Sequence, residues 1–271
     1  MTAALRLGGV PEHFNLPWRL ALESGELGHV EATWEDQPGG TGQMLAKLES
    51  DELDMVSILT EGTVAAIAGG LPATIVQVYV ESPLQWGIHV PAASDIGDVA
   101  DLEGRRIAIS RFRSGSHLMA FVQADRLGWD LDDDQFVVVG DLDGARSTFA
   151  EAGAEQFLWD RFMTQPLVDA GEFRRVGVEP TPWPSFVIAV RNEMLLGRTA
   201  EVGTIVDAVV GHAVGLHDRA GIADTLSSRY GITPAGAEAW LEATTFAPRS
   251  AFDPEIATTT LRTLRRAGFT D

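Results

Sequence analysis

A tryptophan held between two prolines, in Thr181-Pro182-Trp183-Pro184-Ser185-Phe186, is the stretch of this chain best suited to meeting a ligand. Each proline fixes its own backbone and turns the residue before it away from helix. A large ring on so stiff a loop loses little entropy when it is used for recognition. The same ring could equally be a core residue beside a turn, so the surrounding elements must decide. Other side chains with chemistry follow the ends of apolar runs. They are Glu12, His13, Phe14 and Asn15, with Trp18 soon after; Thr60 and Glu61; Ser82; Ser114, Gly115, Ser116 and His117; Trp159 and Asp160; and Ser185 beside Trp183.

Each of these has a plainer reading. Glu12 and His13 could be a solvated loop pair. Glu61 could only complement a helix dipole, and Ser114 could only cap a helix. A helix start built from small residues also points free N–H groups at an anion, which favours a binding role for the Ser114–His117 segment. Trp159 could be core. Trp34, Trp129 and Trp240 read as packing residues. Catalytic patterns are missing: there is no HExxH, no GxSxG and no phosphate loop, since Gly39-Gly40-Thr41-Gly42 lacks the lysine. The six histidines form no metal pattern, and cysteine is absent. The set is binding equipment without a nucleophile, so no catalytic residue, metal or cofactor is expected.

Composition narrows the partners. The net charge of −19 repels nucleic acid and anionic membrane alike. Lys47 is the lone lysine, so the other basic residues are arginines. The N-terminal residues show no charged leader followed by an apolar core, which predicts a cytoplasmic protein. The apolar region from Val64 to Val80 is broken by Gly69, Gly70 and Pro72 and does not read as a membrane span. The oligomeric state is not legible.

The elements that must position these residues alternate between strand and helix. Strands are expected near residues 5–8, 30–34, 54–59, 73–80, 105–110, 136–139, 156–159 and 173–178. Helices open at Asn15 (with Pro17 in the first turn), Gly39, Thr60, Ser114, Gly144 and Thr164. Beyond Asn192 the periodicity is helical to the end. The reading is an α/β protein of two lobes with a helical C-terminal tail. Lobe 1 is expected to be residues 1–85 plus 191–271, and lobe 2 residues 86–190. Crossing segments fall near Ser82–Pro91 and Phe186–Asn192, and a ligand is expected in the cleft.

Four motifs occur in order: Gly9-Val10-Pro11-Glu12-His13-Phe14-Asn15-Leu16-Pro17-Trp18, Ser114-Gly115-Ser116-His117-Leu118-Met119, Phe157-Leu158-Trp159-Asp160-Arg161-Phe162-Met163-Thr164 and Thr181-Pro182-Trp183-Pro184-Ser185. Together they resemble a subgroup of the type 2 periplasmic-binding-protein-like family, related to sulfonate-binding proteins and to the fungal pyrimidine-precursor (thiamin) synthases. The resemblance covers roughly residues 5–195. It implies the two-lobed fold, a hinge, and a small ligand held in the cleft. Synthases of this group use a lysine for pyridoxal phosphate, a sacrificial histidine and a cysteine-rich iron motif. This chain has no cysteine, and Lys47 falls inside a predicted helix, which argues against that chemistry.

Two readings follow. In the first, the protein binds a planar nitrogen heterocycle of the pyrimidine or thiamin-precursor type, because Glu12, Glu61 and Asp160 would oppose a strong anion while Trp159 and Trp183 could stack on a ring. A sulfonate or aromatic acid is the variant ligand. In the second, a lyase, dehydratase or synthase-like enzyme uses Glu12, His13 or Glu61 as general acid or base. A regulator's effector domain is disfavoured by the charge and by the lack of a helix-turn-helix segment.

Overall fold

In the computed structural model, which describes residues 3–151 and 153–270, the chain divides into two units. The first comprises Met1–Ser82 and Trp183–Leu261, the second Pro83–Pro182 and Arg262–Asp271.

The N-terminal part of unit 1 runs β1 (Leu5–Gly9), α1 (Leu16–Glu23), β2 (Ala32–Asp36), α2 (Gly40–Glu49), β3 (Met55–Leu59), α3 (Thr60–Ala68) and β4 (Ala73–Val80). Unit 2 runs β5 (Gln85–Pro91), β6 (Ile107–Ile109), α4 (Gly115–Leu127), β7 (Phe136–Val138), α5 (Leu142–Ala150), β8 (Gln156–Asp160), α6 (Gln165–Asp169) and β9 (Phe173–Pro180). The chain then forms β10 (Phe186–Arg191) and the helices α7 (Asn192–Gly197), α8 (Thr199–Val214), α9 (Ile222–Tyr230), α10 (Pro234–Ala243) and α11 (Pro254–Arg266). No helix among the described residues is long and apolar enough to cross a membrane.

Each unit has one five-stranded mixed sheet, in the orders β2-β1-β3-β10-β4 and β7-β6-β8-β5-β9. Unit 1 explains its own pattern. Strands β1, β2 and β3 are parallel, so helices must carry the chain back between them. Strand β10 returns antiparallel between β3 and β4, and all six of its residues are buried. That is why Phe186-Val187-Ile188-Ala189-Val190 is continuously apolar rather than alternating. Helix α8 packs on α1, and the tail supplies helical cover for this sheet.

The boundaries differ from those expected. Residues 183–190 pair with unit 1, because β10 takes its hydrogen bonds from β3 and β4. The last ten residues go with unit 2, where Phe269 packs on His117 and Arg266 pairs with Asp125. The segment read as a crossing near Ser82–Pro91 is largely the strand β5, paired with both β8 and β9. Pro83 and Pro91 disguise it; Trp86, Ile88 and Val90 between them alternate as a strand should. Asn15 does not cap α1 with its side chain. Its Nδ2 donates to the Val10 carbonyl at 2.7 Å instead.

Asp54, at the entry to β3, ties three strands together. Its carboxylate accepts from the Arg6 backbone N–H (2.8 Å), from Arg6 Nε (3.0 Å) and Nη2 (2.7 Å), and from Arg191 Nη1 (3.2 Å). Burial opposes ionisation, yet the hydrogen bonds and charge of Arg6, with the charge of Arg191, hold the carboxyl below its ordinary value. Its stabilising share is therefore present above the unfolded-state value and is lost as pH falls through the lowered one. Asp54→Asn leaves buried Arg191 short of a partner and is expected to cost about 3 kcal/mol at pH 7. Urea unfolding checks this, and the acid limb of the stability curve should flatten in the variant.

Candidate functional site

The end of β3 and the strap that follows Pro182 build the best-defined site in unit 1. Helix α3 begins directly after β3, with no connecting loop. Its first residue is pinned to the strap: the Thr60 backbone N–H donates to the Ser185 carbonyl at 3.1 Å, and Thr60 Oγ1 donates to the Pro184 carbonyl at 2.5 Å. Ser185 in turn donates from Oγ to the Ser82 carbonyl at 2.7 Å, and Ser82 Oγ accepts from the Thr245 backbone N–H at 3.0 Å. Thr60, Ser82 and Ser185 are thus spent on holding the strap in place. Gly62 lets α3 start close to α2: a Cβ there would lie 2.4 Å from Thr41 Cγ2.

Within this frame the Trp183 indole Nε1 donates to Glu61 Oε2 at 3.0 Å, and both residues are buried. Burial drives the Glu61 carboxyl up to about 7, against the lowering effect of its own backbone N–H and of the indole. A carboxyl titrating near neutrality can accept a hydrogen bond when ionised and donate one when protonated. The proline-flanked ring is therefore neither freely displayed nor simply core. It is oriented by a polar partner that the sequence places 122 residues away.

Beside the strap lies an aromatic cluster. Phe14 packs on Phe186 (4.7 Å between centroids) and stacks on His13 (4.9 Å), and His13 meets Trp240 edge-on at 4.6 Å. Tyr79 anchors the turn by donating to the Phe14 carbonyl at 2.7 Å. Burial pushes His13 down to about 4, so at pH 7 the ring is uncharged. Glu12 is half-buried at the entrance to this turn, and Asn15 is buried beneath it. Trp18 sits deeper still, fully buried against Trp34 and Tyr79. Expected at the ligand, it is a core residue, because Pro17 starts α1 with this position facing the sheet.

In unit 2, Ser114 caps α4, its Oγ accepting from the His117 N–H at 3.3 Å. Ser116 Oγ accepts from the Ser110 N–H at 2.9 Å and contacts Ser114 Oγ at 3.1 Å. These hydroxyls serve the helix start itself. Gly115 is required by Trp86, whose ring would lie 2.6 Å from a Cβ. Trp86 was hidden from the sequence reading inside the supposed crossing. His117 is caged by Phe112, Phe121, Phe136 and Phe269 and accepts from the Arg113 N–H at 3.1 Å; burial lowers its pKa. Its ring is a packing group here, whereas the sequence suggested a ligand contact. Trp159 stacks on Phe157 at 5.1 Å, and Asp160 accepts from the Phe162 and Met163 N–H groups, each at 2.9 Å. Asp160 thus closes its own turn.

A cavity of about 370 Å³ also opens in unit 1, with His217, Glu242, Thr244 and Phe246 in its wall. None of the residues singled out from the sequence lines it.

This architecture, a mixed sheet in each of two units with a chain that enters and leaves the second unit, is the type 2 periplasmic-binding-protein-like fold. Residues 86–178 match the family described as Ca3427-like PBP. The Candida albicans CA3427 gene product, described as defining a new family with the generic periplasmic binding protein fold, is 28% identical over 98% of this chain and 90% of its own, with a TM-score of 0.86. The alkanesulfonate-binding protein SsuA from Xanthomonas axonopodis pv. citri, solved bound to MOPS, is 21% identical over 100% of this chain and 95% of its own, with a TM-score of 0.80. The aliphatic sulphonate binding protein SsuA from Escherichia coli is 18% identical over 100% and 89%, with a TM-score of 0.79. No curated protein matches the chain. The chain therefore has the type 2 periplasmic-binding-protein-like fold, and its residues 86–178 resemble the Ca3427-like family.

Glu61 gives a direct test of the site's electrostatics. Its folded pKa lies above the ordinary 4.5, so its stabilising share is complete below 4.5 and is lost as pH rises through about 7. The neutral amide of Glu61→Gln escapes that loss. The variant is expected to match the parent at pH 4 and to exceed it by up to about 3 kcal/mol at pH 8, as measured by denaturant unfolding.

Proposed function

We propose that this protein binds a small, neutral, nitrogen-heteroaromatic compound of the pyrimidine class, recognised by Trp183 and Glu61. The observation that carries this reading is the buried indole–carboxyl pair. The ring offers a flat apolar wall and the carboxylate offers an acceptor to a ring N–H or an exocyclic amino group. A sulfonate would meet the Glu61 carboxylate as a like charge in a dry environment, which disfavours it here. That separates this chain from the sulfonate binders whose fold it shares. Binding without turnover fits the neutral, packed His13 and the self-satisfied hydroxyls around the strap.

Cytosine is a suitable probe, because it stays neutral from pH 5.5 to 8.5. Calorimetry should show saturable binding that strengthens as pH rises through about 7, where Glu61 ionises. Trp183→Ala and Glu61→Gln should each weaken it at least tenfold, and Glu61→Gln should also remove the pH dependence. Ethanesulfonate should bind more weakly than cytosine. Tighter binding of the sulfonate, or unchanged affinity in both variants, would overturn the reading.

A further inference from the structure

One face of the unit 2 sheet carries a pair of arginines that form no close ion pair among the described residues, although Asp160 and Asp169 lie near enough to act on the Arg175 charge. Gln85, Gly87 and His89 of β5 share that face, since side chains two apart in a strand point the same way. The register sets Trp159 opposite Gly87 and Phe157 opposite His89 on one side, and Val178 opposite Gly87 and Arg175 opposite His89 on the other. Arg161 extends the Phe157, Trp159 series, its backbone N–H still bonded to the Gln85 carbonyl at 3.0 Å.

Both guanidinium groups on this face are held by neutral amides. Arg161 Nη1 donates to Gln85 Oε1 at 2.5 Å, and Arg175 Nη2 donates to Gln165 Oε1. Neither arginine forms an ion pair among the described residues. This is notable in a chain with 39 acidic residues against 20 basic ones, where Arg6, Arg126, Arg146 and Arg191 all take carboxylates. The nearest acid in sequence, Asp160, is engaged by the two backbone amides of its own turn. Glutamine oxygens orient a guanidinium without cancelling its charge, which leaves the charge for another group.

Three further features agree. Arg175 Nε is buried with no hydrogen-bond partner, and a buried donor is costly to leave unpaired. Burial, then the positive charge of Arg161, pushes the Arg175 guanidinium below its ordinary pKa, so the two cations feel each other. Apolar surface flanks them: Trp159 is half-buried, while Val178 and Met163 are exposed. Gly87 keeps the floor clear, since a Cβ there would strike the His89 ring at 2.4 Å and reach Arg175 Cδ at 3.4 Å.

We propose that Arg161 and Arg175 form an anion site within unit 2 that takes the carboxylate of a small aromatic acid, with its ring against Trp159. The site is independent of the Trp183–Glu61 reading, since it is built from unit 2 alone. The test uses the full chain, benzoate as probe and benzamide as its uncharged control, followed by ¹⁵N NMR of the arginine Nε–Hε and tryptophan Nε1–Hε1 groups. Benzoate should shift the Arg175 and Trp159 signals saturably, and benzamide should not. Arg161→Gln and Arg175→Gln should each weaken benzoate at least tenfold, and the half-exposed Arg161 serves alone if the Arg175 variant fails to fold. Glu61→Gln should leave benzoate affinity unchanged even though it impairs cytosine binding. Immobile Arg175 and Trp159 signals, equal shifts with benzamide, or parent-like affinity in the folded arginine variants would overturn the proposal.

Discussion

The hydrogen bond from the Trp183 indole to the Glu61 carboxyl is the constraint around which unit 1 is arranged. A carboxyl group buried this fully costs free energy unless it is paired or protonated. Here it is both partly paired and raised toward neutrality. Holding it requires α3 to start without a loop, Thr60 to grip Pro184 and Ser185, and Ser185 to grip Ser82. The two prolines stiffen the strap, and β10 then fastens it between β3 and β4. Local chemistry and sheet topology therefore serve one placement.

Much of this was legible in the residues. The residues 54–59 marked β3 as a strand, and the abrupt change to Thr60-Glu61-Gly62 marked the start of α3, whereas Phe186–Asn192 was read as a crossing segment and is mostly the buried strand β10. The proline pair marked a rigid strap. What the sequence could not show was which distant side chain would meet Trp183, because a contact across 122 residues is set by strand order and not by local pattern. Burial depth was equally hidden. Trp18 and His117 carry polar atoms and sit near motif centres, yet both are packed inside aromatic clusters. Strand β5 was obscured by its flanking prolines, which read as connector while the alternation between them was strand-like.

Charge usage links the two units' chemistry. An acidic chain whose basic residues are nearly all arginine can place fixed, planar cations at chosen points. Most serve as structural partners, as in the Arg126–Glu179 pair of unit 2, where half-exposed Arg126 covers a Glu179 side chain that is only 2% exposed. Against that background a carboxyl that titrates near neutrality beside an indole in unit 1, and two arginines held by glutamine oxygens in unit 2, are places where the fold leaves recognition chemistry unspent.

The central claim is that Glu61 is a carboxyl group tuned to neutrality by its burial against Trp183. The most direct measurement is a ¹³C NMR titration of the Glu61 side-chain carboxyl, assigned by comparison with Glu61→Gln. A midpoint near 7 is the predicted result. A midpoint at the ordinary value of 4.5 would mean a solvated carboxylate and would contradict the account.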